Sequence, residues 1–277
     1  MTTSTPTGNQ GGESADTINL SGMGYHFSGA GLSLLQHGAD AYCLAVAAID
    51  VSGSQSGEEQ NLADCFANVL AACDKAPNRD AILFRLTEFN SQVRELRGFV
   101  PPANALRPTF TTGGYTAIGA ACLDAIRSIE TYAEHLLSNG DYQSNGIFFV
   151  LTDGEETVES APAGLSYDEE LNYRIDAASA KVKAEIDRVQ KSEKLNSIIP
   201  ILVGFRPNPE TEARQRRFAT NAGMLYVKLA DATPQRLAKF AHFVSQSTSS
   251  QSRQAGSRQA ATITVPQDLD PTASLSI

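Results

Sequence analysis

Three short polar clusters in this 277-residue chain carry side chains whose types and spacing suit the binding of a hard cation. They are Asp50-Val51-Ser52-Gly53-Ser54, Gly113-Gly114-Tyr115-Thr116 and Asp153-Gly154. Carboxylates and hydroxyls offer oxygen alone, which a cation such as Mg2+ prefers to nitrogen or sulfur. Spacing of two lets Asp50, Ser52 and Ser54 converge if their loop curls over a strand end, and Gly53 eases that curl. The set is too poor in carboxylates to enclose an ion, so it leaves coordination positions to water and to one outside ligand. Taken singly, each residue also has a plainer reading. Ser52 and Ser54 suit the N-cap of a helix beginning near Glu58, Thr116 that of the next helix, and Asp153 a turn.

What distinguishes the readings is the elements that position these residues. Cys43–Ile49 is a near-continuous apolar run, as expected for a strand covered on both faces. Leu62, Phe66, Val69, Leu70 and Cys73 then recur at helical spacing. Ala81–Phe89 and Gln92–Val100 read as a hairpin around Asn90-Ser91, and Ile118, Cys122, Ile126 and Ile129 mark a second helix to about Leu137. Gly146–Thr152 is another buried strand, followed by a long helix with Leu171, Ile175, Val182, Ile186 and Val189 inward. Ser197–Gly204 and Met224–Leu229 read as strands, Thr211–Ala222 as a helix ended by Gly223, and Pro234–Val244 as the last helix. Alternating signals of this kind predict an α/β fold, doubly wound, with a mostly parallel central sheet, one antiparallel edge strand and helices on both faces. In such sheets ligands sit at the carboxyl ends of strands where strand order reverses, and all three clusters fall at such ends.

The pattern DxSxS, then a Gly-Gly turn with Thr, then a strand ending in TDG, resembles the metal-ion-dependent adhesion site (MIDAS) of von Willebrand factor A (vWA) domains. The likeness covers about residues 40–245. Within it AIDVSGSQSG, GGYTAIGAA and VLTDGEE read particularly like intracellular bacterial or viral, tellurium-resistance-like members. The resemblance implies that Ser52 and Ser54 bind Mg2+ (or Mn2+) through their hydroxyls and that Thr116 joins them directly in one state. It implies that Asp50 and Asp153 act mainly through bound waters, and that an Asp or Glu of a partner protein fills the open position. Partners of intracellular members are often AAA+ ATPases, kinases or phosphatases. Gln55 departs from the pattern, standing where many bacterial relatives have Met. Glu155 and Glu156 read as solvated loop residues or as groups tuning ion affinity, and Tyr115 as a partner contact or loop filler.

Bulk composition sets the remaining bounds. A hydrophobic fraction of 42% supports a real core. A net charge of −9 argues against a nucleic-acid binder, because phosphate contacts need clustered Lys and Arg. Cys43, Cys65, Cys73 and Cys122 form no CxxC pair or zinc spacing and are expected as buried free thiols in a reducing compartment. No secretory leader and no apolar run long enough for a membrane is visible, so a cytoplasmic protein is expected. Residues 1–24 read as a disordered segment, 25–245 as the domain with an edge hairpin within 25–35, and 246–277 as a disordered Ser/Gln-rich tail, with Thr262–Val265 a β-prone island. No phosphate loop, dinucleotide fingerprint, nucleophile elbow or HExxH is present, and His26, His37, His135 and His242 are scattered. The expectation is a binding module, not an enzyme. A hydrolase using the same ion to activate water is the competing reading, and a particle or assembly component a third.

Overall fold

A computed structural model describes residues 17–20, 27–30, 35, 41–105, 107–229, 243–244, 246–247, 262–264 and 274–276. In chain order the elements are strands β1 (Thr17–Asn19), β2 (Ser28–Ala30) and β3 (Ala41–Asp50), helix α1 (Glu59–Asp74), and strands β4 (Ile82–Phe89) and β5 (Val93–Val100). Helix α2 (Ile118–Gly140), strand β6 (Gln143–Thr152), helix α3 (Tyr167–Gln190), strand β7 (Ser197–Phe205), helix α4 (Pro209–Ala222) and strand β8 (Leu225–Leu229) follow. Strands β9 (Thr262–Thr264) and β10 (Ser274–Ser276) form a separate antiparallel pair.

The main sheet runs β1-β2-β5-β4-β3-β6-β7-β8. Strands β4, β3, β6, β7 and β8 are mutually parallel, and β5 is antiparallel to β4. The chain leaves β3 toward β4 on one side and later returns to its other side as β6. The reversal of strand order therefore lies between β3 and β6, whose carboxyl ends deliver Asp50 and Thr152-Asp153.

Alternation along β3 explains why its whole run is apolar. Leu44, Val46 and Ala48 face a core built with Ile126 and Ile129 of α2, Ile175 and Val182 of α3 and Phe218 of α4. Cys43, Ala45, Ala47 and Ile49 face the opposite core with Leu62, Phe66 and Val69 of α1. Successive strand side chains point to opposite faces, so a strand covered twice has no polar position to spare. Of the helix expected over Pro234–Val244, only Phe243 and Val244 are described; both are helical and buried on the α1 face. The rest lies outside the described residues.

Helix ends follow local rules. Ser166 accepts from the Glu169 backbone N–H while Glu169 reaches back to Ser166, a complete capping box for α3. Asn208 caps α4 ahead of Pro209, and Gly223 closes it at φ 70°.

Three details go beyond the expectation. The sheet continues past the antiparallel strand β5, because β2 lies beside it with Gly29 opposite Phe99, and the outermost strand β1 runs antiparallel to β2. A Cβ on Gly98 would meet the Ser28 carbonyl oxygen at 2.2 Å, so the missing side chain lets the N-terminal segment close onto β5. The N-terminal hairpin pairs Thr17–Asn19 with Ser28–Ala30, so it starts within the stretch read as disordered. Beyond 245, residues 246–247 are helical, and the β-prone Thr262–Thr264 pairs with Ser274–Ser276.

Candidate metal centre

Asp50 is the last residue of β3 and is fully buried. Its Oδ1 accepts the backbone N–H of Ser52 at 2.8 Å, and its Oδ2 accepts the Thr152 hydroxyl at 2.5 Å. Those two bonds turn the carboxylate toward the crevice between β3 and β6. The chain then curls in a 3-10 turn, Gly53–Gln55, as the two-residue spacing predicts. The Ser52 and Ser54 hydroxyls lie 3.0 Å apart, and Ser54 Oγ donates to Asp153 Oδ1 at 2.7 Å. Four of the five residues singled out by sequence are thereby joined in one chain of contacts.

Thr116, the fifth, is brought in by its loop. Gly113 N–H donates to the Val51 carbonyl, Gly53 N–H to the Gly114 carbonyl, and Asn90 Nδ2 to the Gly113 carbonyl. Gly114 sits at φ +86°, a conformation that favours glycine. Ala117 N–H donates to the Asn90 carbonyl and Tyr115 N–H to Ser91 Oγ, so the β4–β5 turn holds this loop against the end of β3. Thr116 is buried, and its Oγ1 stands 3.0 Å from where a Cβ on Gly154 would be. Its backbone N–H donates to Thr157 Oγ1, and its own hydroxyl bonds to no described residue.

None of these hydroxyls caps a helix. The N-cap residues of α1 and α2 are Glu58 and Ala117, and Ser52, which precedes the 3-10 turn, makes no side-chain cap bond. Asp153 sits in the bend that follows β6, and its carboxylate also accepts from Ser54 across 99 residues of chain.

Burial pushes the Asp50 carboxyl up to about 6, against the hydrogen bonds from Thr152 and Ser52, and the charge of Asp153 adds to the rise. Asp153 is also raised by burial and by Glu58, while the Ser54 hydroxyl and Arg206 act the other way. Two carboxylates held with raised pKa values in one crevice are a site short of positive charge. A hard cation would supply it, and the oxygens present fit that class: two carboxylates and three hydroxyls with no nitrogen or sulfur among them. Among the described residues no group of three or more His, Cys, Asp or Glu is placed to hold a metal.

Sequence reading missed Thr152 and misjudged two acids. Thr152 sits directly before Asp153 at the strand end, and that position was the available signal. Glu155 accepts from Arg214 at 2.9 Å and Thr211 at 3.1 Å. Glu156 is buried and accepts from the backbone N–H groups of Gly119, Val158 and Glu159, which ties the loop to the first turn of α2. Neither is a solvated loop residue, because each answers a donor distant in sequence. Gln55 is fully buried with both amide atoms unpartnered.

No family model and no curated protein matches the chain. Solved structures do. The minor pilin PilB of Streptococcus sanguinis aligns with TM-score 0.53 and 13% identity over 77% of this chain and 63% of its own. The pilus adhesin SpaC of Lactobacillus rhamnosus GG, in its open conformation, aligns with TM-score 0.53 and 13% identity over 78% of this chain and 31% of its own. These two proteins share the doubly wound, Rossmann-like α/β fold seen here. The ArnB paralog VWA2 of Sulfolobus acidocaldarius aligns more loosely, with TM-score 0.43 and 14% identity over 75% of this chain and 45% of its own. The chain thus spans less than two thirds of the length of each of these proteins. At such identities the likeness is one of fold alone.

Proposed function

We propose that this chain is a divalent-cation-dependent protein-binding module. Mg2+ (or Mn2+) is held at a MIDAS-type site by Asp50, Ser52, Ser54, Thr116 and Asp153, and an Asp or Glu of a partner protein completes its shell. The observation that carries the reading is the convergence of the Ser52 and Ser54 hydroxyls, neither making a helix-cap bond, with the Asp50 and Asp153 carboxylates at the strand-order reversal, with the Thr116 loop held against the same strand end. When bound, the cation supplies the charge that draws the partner's carboxylate. The protein's part is to hold its oxygens facing one another, with Thr152 fixing Asp50 and the Asn90–Ser91 turn fixing the Thr116 loop.

The reading is of a binder and not an enzyme. Glu155 and Glu156, the nearest further carboxylates after β6, are committed to Arg214 and Thr211 and to backbone N–H groups, which takes them away from general-base work. Four buried free thiols favour a reducing compartment and hence the cytoplasm. No helix among the described residues is long and apolar enough to cross a membrane. An AAA+ ATPase, kinase or phosphatase is the partner class drawn from the vWA resemblance.

Calorimetric titration of the full chain with Mg2+ and with Mn2+ tests the site. Wild type is expected to bind and Asp50→Ala and Ser52→Ala/Ser54→Ala to lose at least tenfold in affinity. Equal affinities in folded wild type and variants would sink the reading.

A further inference from the structure

The large apolar side chains that remain exposed among the described residues are confined to two stretches. They are Tyr115 in the Thr116 loop, at 70%, and Val158, Leu165, Tyr167 and Tyr173 between the end of β6 and the middle of α3, with Tyr167 at 74%. Tyr115 and Tyr167 meet across a cavity of about 240 Å3 lined also by Thr157, Glu170, Leu171 and Arg174. Scattered single apolar residues on a surface need no explanation, whereas a grouped set rimmed by polar residues marks an interaction site.

Continuity with the candidate metal centre is direct. Tyr115 precedes Thr116 in sequence. Thr116 N–H donates to Thr157 Oγ1 at 2.9 Å, and Thr157 N–H donates to the Thr116 carbonyl at 2.9 Å. Pocket wall and candidate ligand are one hydrogen-bonded unit. The charges in the lining answer each other, since Arg174 donates to the Glu170 carboxylate and to the Thr157 carbonyl. The cavity therefore calls for an uncharged guest. It is smaller than the roughly 300–1,000 Å3 of small-molecule sites, which suits one side chain better than a whole metabolite.

We propose that this tyrosine-walled pocket takes an apolar side chain of the same partner segment whose carboxylate completes the cation shell. The recognised element is then a peptide with an Asp or Glu and, at a set spacing from it, a large apolar residue. The proposal rests on the cation reading above and adds the partner's second anchor. Aromatic walls suit such an anchor, because Tyr offers wide apolar contact with little rotamer entropy to lose.

The test uses the full chain and end-blocked peptides carrying one Asp and one Phe separated by increasing numbers of Gly, with Ser replacing Phe in a control series. Affinities are read from chemical-shift titrations in Mg2+ and in EDTA. At one spacing the Phe peptide is expected to bind about tenfold tighter than its Ser control, as burial of an apolar side chain gives. That gain disappears in Tyr115→Ala and in Tyr167→Ala, both changes at exposed positions, so that the Phe and Ser peptides then bind alike. Mg2+-dependent binding of both series with no gain from Phe at any spacing, or a gain that survives both Tyr variants, overturns the pocket and leaves the cation reading standing. Binding that is equal in Mg2+ and EDTA, or absent for every peptide, overturns the cation reading and the pocket with it.

Discussion

Asp50 links the candidate site to the stability of the fold. Its carboxyl titrates at about 6 in the folded chain, against ~3.9 in an unfolded one. Between those values the folded chain holds the extra proton, so the stability it contributes is full below about pH 4 and is lost as pH rises through about 6. Two pKa units correspond to ~3 kcal/mol, part of which an amide forfeits because its Nδ2 meets the Thr152 hydroxyl. Asp50→Asn is therefore expected to stabilise the cation-free protein by about 1–2 kcal/mol at pH 7 and by little at pH 4, in urea titrations with EDTA. Adding Mg2+ at pH 7 should raise the stability of wild type and leave Asp50→Asn unchanged; a variant that responds like wild type contradicts the site. Gln55 poses a separate residue-scale problem. A buried amide with neither atom bonded costs about 1–3 kcal/mol, so Gln55→Met, which keeps the volume and removes the amide, is expected to stabilise by about 1–2 kcal/mol. Its urea midpoint decides the matter, and a lower midpoint would mean that the amide has a partner in solution.

At the scale of elements, the segment after β6 does more than carry Asp153. Glu156 reaches back to the Gly119 N–H in the first turn of α2 and also holds Val158 and Glu159. A carboxylate at a helix N-terminus satisfies orphan donors and complements the helix dipole, which offsets the burial that raises its pKa. Glu156→Ala strands three backbone donors, and a loss of about 2–4 kcal/mol is expected in denaturant unfolding. Glu156→Gln keeps one acceptor and should lose about half as much. An Ala variant as stable as wild type would show that solvent reaches those N–H groups. The helices themselves were legible, because their inward faces follow the 3.6 period and α4 ends on Gly223. The N-terminal strands were less so. Three-residue strands carry too little pattern to read, and β2 is held by contacts remote in sequence, Ser28 on Glu95 and the Tyr132 hydroxyl on the Ala30 carbonyl.

For the molecule as a whole, two apolar layers clamp one sheet, and all four cysteines fall inside them. Burial pushes the Cys65 thiol up to about 12 and holds the Cys43 and Cys122 thiols well above the usual thiol range. No thiol is expected to react with an aromatic disulfide reagent in native protein at pH 8, and four should react after unfolding in guanidinium. Rapid labelling of native protein would show that the layers open readily. The same two-layer plan concentrates polar chemistry at the strand ends, since among the described residues the apolar cover gives way where the chain turns from β3 and β6 toward the helices.

The residue types by themselves pointed to a class of chemistry, because oxygen-only side chains at DxSxS, GGxT and TDG spacings suit a hard cation. Hydrophobic period determined the α/β alternation and most strand positions, since strands such as β3 and β6 must be apolar on both faces. Whether Ser52, Ser54 and Thr116 were caps or ligands was beyond sequence, as either use needs the same residue near a helix start. The tertiary structure showed them uncapped and grouped, with Asp153 within 2.7 Å of Ser54 and the Thr116 loop held on Val51 and Gly53. It also decided the roles of Glu155 and Glu156, whose partners lie on other helices. Contacts across tens of residues depend on how the sheet orders its strands, and that order comes from the packing of whole faces, not from any local pattern.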